Sequence, residues 1–408
     1  MRASNILVAV TGGIAAYKIA SLVRLYQQNG HNVRVMMTKG ACAFVTPLTF
    51  QALTGKPVAT DLLDERAELG MGHIELAKWA DVLLIAPASA NTIGKLACGL
   101  ADNLVTSVCL ATAAPILLAP AMNQQMWANA LVQDNLAKLA RFGYHIITPE
   151  AGAQACGDVG VGRLPAPESL LSYTETFLWQ QHNGTPLMGK TVVITAGATV
   201  EAIDPVRFLS NHSTGKMGYA LAAACRDAGA KVLLVAGRNV SLPTPFGVKK
   251  ITVGSADELL QACLPLCAKA DVLIATAAVA DFKMAQIAPQ KIKKTAKDDS
   301  LQLTLCQNPD VLATMSATYP ALFCVGFAAE THEVQRYAQD KLRKKNLAMI
   351  VCNDVSDKSI GFASDDNAVT VFFARHFAKA PLSLPKATKR HIAEQLVLAM
   401  SALLPTNA

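Results

Sequence analysis

Apolar runs and amphipathic stretches alternate along this chain. In the first half, predominantly apolar runs stand at residues 6–10, 33–37, 82–86, 116–119 and 144–147, broken by Arg34 and His145, with Ala-rich or amphipathic stretches such as 15–28 and 126–141 between them. A run that is apolar at every position predicts a strand buried on both faces, and helical crossovers between such strands predict a parallel sheet. The pattern restarts at Lys190, with strands expected at 191–195, 231–236, 272–275, 322–325 and 349–352 and helices at 216–228, 256–268 and 333–344. The polar, turn-rich stretch QHNGTPLMG, 181–189, separates the two patterns. This places a boundary near Met188 and predicts two doubly wound parallel-sheet domains, 1–188 and 189–408.

Size and composition agree. A chain of 408 residues is long for one core and suits two, and 52% hydrophobic with 16% charged residues excludes a disordered chain. The net charge of +7 suits anionic small molecules, whereas an aromatic fraction of 6%, with no basic stripe interleaved with aromatics, argues against nucleic acid. Ten cysteines without a CxxC, behind a start that runs straight into a strand, predict a reducing cytoplasm and no signal peptide. The uncharged run 104–122 is interrupted by Pro115 and Pro120, so it reads as a helix end, a turn and a buried strand, not as a membrane span.

Ligands of open α/β sheets sit at the carboxyl ends of strands, so the residues just after each strand are the candidates for chemistry. The first strand is followed by TGGIAAYK, in which small residues and a helix start suit a phosphate as well as they suit a plain tight turn. PASANT follows the third strand and PAMN the fourth; Ser, Asn and Thr there are also ordinary helix caps. His73 stands near Glu75, and a lone His is more often structural than catalytic. Cys156 lies in ACGDVGVGRL, where three glycines in six residues predict a mobile surface loop carrying a reactive thiol.

In the second half, AGATVEAIDPVR leads to NHSTGKMG. Its STGK is no Walker loop, because Ser210 and Met217 stand where Gly and Ser or Thr are needed. Asn211 and the residues to Gly218 read as a capped helix start that can also hold an anion, with Arg207 just ahead. Asp281 follows the third strand of this half, in AAVADF. Lys291, Lys293, Lys294 and Lys297 form a basic stretch that is either a solvated loop or a lid over phosphates.

Taken together, TGGIAAYK, His73, PASANT, PAMN and ACGDVGVGRL resemble the flavin-dependent cysteine decarboxylases, specifically phosphopantothenoylcysteine decarboxylase, over about residues 1–180. The motifs AGATVEAIDPVR, NHSTGKMG, AAVADF, QKIKK, QNPDVL and GFAAET resemble phosphopantothenate–cysteine ligase over about 189–400. The whole chain is thus similar to the bacterial bifunctional enzymes of coenzyme A biosynthesis. The resemblance implies a flavodoxin-like first half and a Rossmann-like second half. It implies FMN held by Gly12, Gly13, Ile14, Thr38, Ser89, Ala90, Asn91 and Thr92. His73 would act near thiol oxidation and decarboxylation, Asn123 would grip the substrate carboxylate, and Cys156 would donate a proton. For the ligase it implies 4′-phosphopantothenate, L-cysteine, CTP and Mg2+. The CTP site would comprise Asp281, Lys291, Asn308, Pro309, Asp310, Val311, Phe327, Lys341 and Lys345. Lys291 would assist formation of an acyl-cytidylate and Asn211 its attack by cysteine; no metal ligands are assigned. Relatives of this kind assemble as decarboxylase trimers with ligase domains paired as dimers. Two other readings compete: a non-enzymatic flavoprotein subunit that binds a phosphatase, and an NAD(P)-dependent oxidoreductase, although neither half has a convincing GxGxxG.

Overall fold

The computed structural model describes residues 3–62, 72–293, 301–330, 334–354 and 364–405. The chain divides into two compact units, Met1–Leu178 and Trp179–Ala408. The division falls inside the helix Pro167–Asn183, ahead of Met188. The stretch 181–189 is not simply a linker: its first three residues finish that helix, and Leu187 is fully buried, its N–H donating to the Ala228 carbonyl at 2.8 Å.

The first unit is built on β1 (Asn5–Val10), β2 (Asn32–Met37), β3 (Val82–Ala88), β4 (Ile116–Pro120) and β5 (His145–Ile146), followed by the hairpin β6 (Glu150–Ala153) and β7 (Val159–Arg163). The five-stranded sheet has the order β2-β1-β3-β4-β5, all parallel. This is the flavodoxin-like winding, with its switch point between β1 and β3. The reason the strands are apolar throughout is visible in β1. Ile6, Val8 and Val10 share one core with Leu22 and Tyr26 of the helix Lys18–Gln28. Leu7 and Ala9 share another with Ile93 of Ala90–Ala97 and Val105 of Leu104–Ala111. The uncharged run 104–122 is that last helix, a turn and β4. No described helix is long and apolar enough to cross a membrane.

The second unit carries β8 (Thr191–Ala196), β9 (Val200–Ala202), β10 (Phe208–Ser210), β11 (Lys231–Gly237), β12 (Lys249–Val253), β13 (Val272–Ala275), β14 (Phe282–Met284), β15 (Leu305–Gln307), β16 (Phe323–Glu330), β17 (Met349–Asp354), β18 (Asp366–Phe373) and β19 (Leu382–Thr388). Its large sheet runs β12-β11-β8-β13-β16-β17-β18-β19. The first six strands follow the Rossmann order, with the switch point between β8 and β13. Val192 and Ile194 pack with the helices Lys216–Asp227 and Lys389–Ser401, and Val193 packs with Ala256–Cys267 on the other side. The expected parallel sheet spans these six strands, and two further strands, β18 and β19, extend it antiparallel. The connection from Asp354 to Asp366 is shorter than the roughly dozen or more residues that a parallel crossover takes, so the chain returns antiparallel.

Candidate active sites

At the switch point of the first unit, three strand ends supply the expected flavin residues. Thr11, at the end of β1, is buried; its hydroxyl donates to the Pro87 carbonyl (2.6 Å) and accepts from the Ser89 N–H (2.9 Å), tying the β1 and β3 turns together. A Cβ on Gly12 would lie 3.2 Å from the Gly40 carbonyl carbon, so the backbone after β1 passes against the backbone after β2 and has no room for a side chain. Thr38, between β2 and the turn Lys39–Cys42, accepts from the Ala41 N–H at 3.3 Å. Ser89 caps Ala90–Ala97 by accepting from the Thr92 N–H at 3.3 Å. Because β2, β1 and β3 are neighbours, Gly12, Gly13, Ile14, Thr38, Ser89, Ala90, Asn91 and Thr92 gather at one edge. Free N–H groups at two helix starts and a glycine backbone make a cradle that fits a phosphate. Thr11 and Gly40 stand there too; Thr11 was read only as part of the TGGIAAYK motif, because its side chain serves the turn from inside, and Gly40 was not read.

The second group of this unit forms where β4 ends. The Ala121 N–H donates to the Ala88 carbonyl at 3.1 Å, joining the Asn123 segment to the Ser89 turn. Asn123 caps Gln124–Ala128 through Oδ1, which accepts from the Gln125 N–H at 2.8 Å, and its Nδ2 is not used by the cap. The Gly-rich stretch read as a mobile loop is the hairpin β6–β7, and it is pressed onto that cap. A Cβ on Gly160 would fall 2.0 Å from Gln124 Oε1, and one on Gly162 would fall 2.3 Å from the Met122 carbonyl oxygen. The glycines permit contact, not only mobility. The hairpin brings Cys156 to Asn123, with Nδ2 donating to Sγ at 3.4 Å, and adds Asp158, whose carboxylate accepts from Asn123 Nδ2 at 2.7 Å and from Cys156 Sγ at 3.5 Å. Asp158 was not singled out from sequence; its one-residue spacing from Cys156 was the available signal. His73 opens the helix Gly72–Trp79, and its Nδ1 is buried with no hydrogen-bond partner among the described residues. Glu75 faces away from that question: it pairs with Arg34 at 2.6 Å.

In the second unit a cavity of about 630 Å3 opens at the β8–β13 switch point. It brings together Asn211, Asp281, Asn308, Pro309, Asp310, Val311, Phe327, Lys341 and Lys345. Asn211 Nδ2 donates to the Val279 carbonyl (3.0 Å), and Asn308 Nδ2 donates to the Ala280 carbonyl (2.8 Å), so both are tied to the turn after β13. Asn308 Oδ1 is buried and lacks a partner among the described residues. Asp310 caps Val311–Thr318 and pairs with Lys345 at 2.7 Å. Burial alone would raise the Asp310 carboxyl, but the Lys345 ammonium and the helix N–H groups outweigh it and hold the group below its ordinary range.

Two features of this cavity were not read from sequence. Lys389 lines it, buried, with its ammonium donating to the Ser364 carbonyl; burial and then the neighbouring Lys216 lower its pKa from the ordinary lysine value. Lys216 pairs with Asp365 at 2.7 Å. Conversely, Lys291 is not among the lining residues. It is exposed and stands next to Ile292, which is anchored. Buried Asp204 accepts from the Ile292 N–H (3.1 Å) and from Arg207, and Arg207 donates to the Ile292 carbonyl at 2.7 Å. Arg207 therefore holds the start of the basic stretch. Lys294 and Lys297 lie outside the described residues. Among the described residues no group of three or more His, Cys, Asp or Glu side chains gathers to hold a metal ion.

Residues 1–178 match the family described as Flavoprotein, and residues 187–403 match the family described as DNA/pantothenate metabolism flavoprotein C-terminal domain. The chain is 49% identical over 393 residues to the coenzyme A biosynthesis bifunctional protein CoaBC of Vibrio vulnificus strain YJ016, covering 96% of this chain and 97% of that protein. It is 51% identical over 370 residues to the protein of that name from Vibrio parahaemolyticus, covering 90% and 92%. To the one from Escherichia coli strain K12 it is 45% identical over 395 residues, covering 96% of each.

Proposed function

The chain belongs to the family of CoaBC bifunctional proteins of coenzyme A biosynthesis, and on that premise we propose how its two sites divide the work. The second unit joins 4′-phosphopantothenate to L-cysteine at the expense of CTP. The first unit decarboxylates the resulting 4′-phosphopantothenoylcysteine to 4′-phosphopantetheine. Domain limits of 1–188 and 189–408 go with this reading. The single observation that carries it is that Cys156, Asn123 and the Ser89 turn meet at the ligand edge of the first sheet, while the opposite-sign groups Asp310, Lys341 and Lys345 meet at the ligand edge of the second.

FMN fits the first site, because the Gly12–Gly40 contact and the capped turns leave a bare backbone cradle. When bound, it supplies the two-electron oxidation of the carbon bearing the thiol and the matching reduction after carbon dioxide leaves, so the overall reaction is redox-neutral. Gly12, Gly13, Ile14, Thr38 and the Ser89 turn orient it through backbone N–H groups. Asn123, locked through Oδ1, offers an amide N–H to the substrate carboxylate. Cys156, held over that spot by the hairpin, donates the proton that completes the product. His73 offers its Nδ1 as a proton acceptor near the substrate thiol.

In the second site the carboxylate of 4′-phosphopantothenate attacks the α-phosphorus of CTP and releases pyrophosphate. Cysteine's amine then displaces CMP from the acyl-cytidylate and forms the amide. Lys341 and Lys345 place positive charge where the phosphates lie, and Lys291, on its anchored segment, adds charge as pyrophosphate departs. Asn211 orients the acyl-cytidylate for the second attack. Mg2+ accompanies the nucleotide, and no step above depends on its position. A cytoplasmic setting agrees with ten cysteines scattered without a CxxC. Homo-oligomers built from decarboxylase trimers and ligase dimers agree with large apolar side chains left exposed, Tyr17 and Leu48 in the first unit and Phe208 and Phe282 in the second.

The test supplies purified chain with 4′-phosphopantothenate, cysteine and CTP and follows products by mass spectrometry. Phosphopantothenoylcysteine, then 4′-phosphopantetheine, is the expected sequence. With Cys156→Ser, carbon dioxide should leave but an oxidised enethiol should accumulate. Failure of the wild-type chain to form either product would remove the proposal.

A further inference from the structure

We propose that Asp158 is a positioning residue of the decarboxylase site: its carboxylate pins the Cys156 thiol beside the Asn123 amide, so that Sγ stands in place for the final proton transfer to substrate. The inference rests on the decarboxylase reading given above and deepens it. Three contacts carry it. Asp158 Oδ2 accepts from Asn123 Nδ2 at 2.7 Å and from Cys156 Sγ at 3.5 Å, and the Asn123 amide donates to Sγ at 3.4 Å. One oxygen atom therefore receives from both residues that would touch the substrate.

The placement of Asp158 is set by the hairpin. The Gln154 N–H donates to the Asp158 carbonyl at 2.7 Å and closes the turn. Gln154 Oε1 accepts from the Gln124 N–H at 3.0 Å, and Gln154 Nε2 donates to the Met122 carbonyl at 3.2 Å, which fastens the turn to the Asn123 cap. Gly160 and Gly162 let the second strand close down without a side chain in the way. Asp158 is half-buried in this arrangement, whereas Cys156 is exposed.

The sign of the charge decides the role. A nucleophilic cysteine is set beside a cation or a helix N-terminus that favours thiolate. Here the group next to Sγ is an anion. The other titratable side chains of the two strands are Glu150 and Arg163, and the Arg163 guanidinium lies over Gly152 at the far end of the hairpin. The helix Gln124–Ala128 carries no titratable side chain. A carboxylate acceptor orients a neutral S–H and has nothing to offer a thiolate. The arrangement therefore suits a thiol that gives up its proton to substrate carbon and is reprotonated by solvent. In that last step bound flavin would supply two electrons and one proton to the enethiol, and Sγ gives the second proton. No bond to Asp158 is formed or broken in this step.

The experiment is a single turnover of phosphopantothenoylcysteine by flavin-loaded chain, reading carbon dioxide, flavin absorbance and product together. Asp158→Ala should release carbon dioxide but keep flavin reduced, with product formation slowed about 10–100-fold, below the roughly 10²–10⁴-fold that a general acid contributes. Asp158→Asn keeps one acceptor oxygen and should fall between Asp158→Ala and wild type at that step alone. In the cycle with Cys156→Ser, the double variant Cys156→Ser/Asp158→Ala should be no slower than Cys156→Ser, because the two act through one proton. Additive losses, or slowed carbon dioxide release with normal flavin reoxidation in Asp158→Asn, would overturn the positioning role. No carbon dioxide from wild type would instead overturn the decarboxylase reading and this inference with it.

Discussion

Gly218 offers a way to damage one activity through packing alone. It lies in the first turn of Lys216–Asp227, the helix whose start lines the cavity of the second unit. A Cβ there would lie 2.5 Å from Ala196 Cβ and 2.6 Å from Thr276 Oγ1. Neither neighbour can retreat cheaply. Ala196 ends β8, and the Thr276 hydroxyl is committed to the Thr195 carbonyl at 2.6 Å. Carbon atoms prefer about 3.5–4.0 Å, so Gly218→Ala should push the helix start outward by roughly 1 Å. Overpacking costs about 1–3 kcal/mol, and the better helix propensity of Ala returns about 1 kcal/mol. The net loss of about 0–2 kcal/mol is small against the roughly 5–15 kcal/mol that hold a domain folded. Catalysis is less forgiving, since a misplacement of about 1 Å can lower a rate about 10²-fold. The expected result is ligation slowed about 10–100-fold, with decarboxylation of supplied phosphopantothenoylcysteine unchanged. The melting temperature should fall by only about 2–4 °C per kcal/mol lost. Both rates and the melting curve are measured on one preparation. Wild-type ligation by Gly218→Ala would show that the helix start does not set the cavity.

Three further outcomes follow from other contacts. Gly12→Asp adds a side chain 3.2 Å from Gly40 and a negative charge beside the expected phosphate, a repulsion of about 1–4 kcal/mol at about 4 Å, so purified protein should lose most of its flavin absorbance; full flavin content at unchanged stability would misplace the phosphate. Lys291→Gln should prevent formation of the acyl-cytidylate, whereas Asn211→Asp should form it and let it persist. Quench and mass spectrometry separate the two, and a wild-type rate of cytidylate formation by Lys291→Gln would leave that lysine a solvated one. Burial alone would raise Asp204, but the N–H groups of Val206, Arg207 and Ile292 and the Arg207 guanidinium hold it well below the ordinary carboxylate range. A depressed carboxyl stabilises the fold above its unfolded pKa of about 3.9 and loses that contribution as pH falls further. The gap in urea midpoint between wild type and Asp204→Asn should therefore be constant near neutrality and shrink below about pH 4; a gap that is flat down to pH values where wild type unfolds would exclude the charge as its source.

The central strands of both sheets were legible because each is buried on both sides, which leaves an apolar run such as 6–10 with little room for ambiguity, whereas the mostly exposed edge strand Lys249–Val253 was not read. Their order was not written in those runs. It comes from the right-handed crossovers and the helices that fill both faces. The short helices were read only in part, Ala90–Ala97 as a possible cap and Leu104–Ala111 as a helix end, since eight residues give barely two turns of periodicity. The antiparallel end of the second sheet was missed because Asp366–Phe373 has no apolar run; it alternates buried and half-buried positions. The hairpin over Asn123 was misjudged as mobile because glycine signals either freedom or close approach, and only the partner atoms, here Gln124 and the Met122 carbonyl, tell which.

Capping and ligand binding looked like rival explanations for the polar residues after each strand, yet the structure makes them complementary. In a parallel sheet the strand's carboxyl end is also where the next helix begins, so a cap residue stands at the ligand edge by construction. What remains available depends on how many polar atoms the side chain has. Ser89 and Thr38 have one oxygen each and give it to the Thr92 and Ala41 N–H groups. Their use to a ligand is the set of backbone N–H groups that they arrange, which suits a phosphate and demands no particular side chain. Asn123 and Asp310 have two polar atoms. Each uses one oxygen for its helix, toward the Gln125 and Ala313 N–H groups. The second atom points into a site: Asn123 Nδ2 to Cys156 and Asp158, Asp310 Oδ2 to Lys345. These two-headed caps are therefore the ones whose side chains enter the proposed chemistry, and the single-oxygen caps Ser89 and Thr38 are the ones that would hold the proposed cofactor through the main chain.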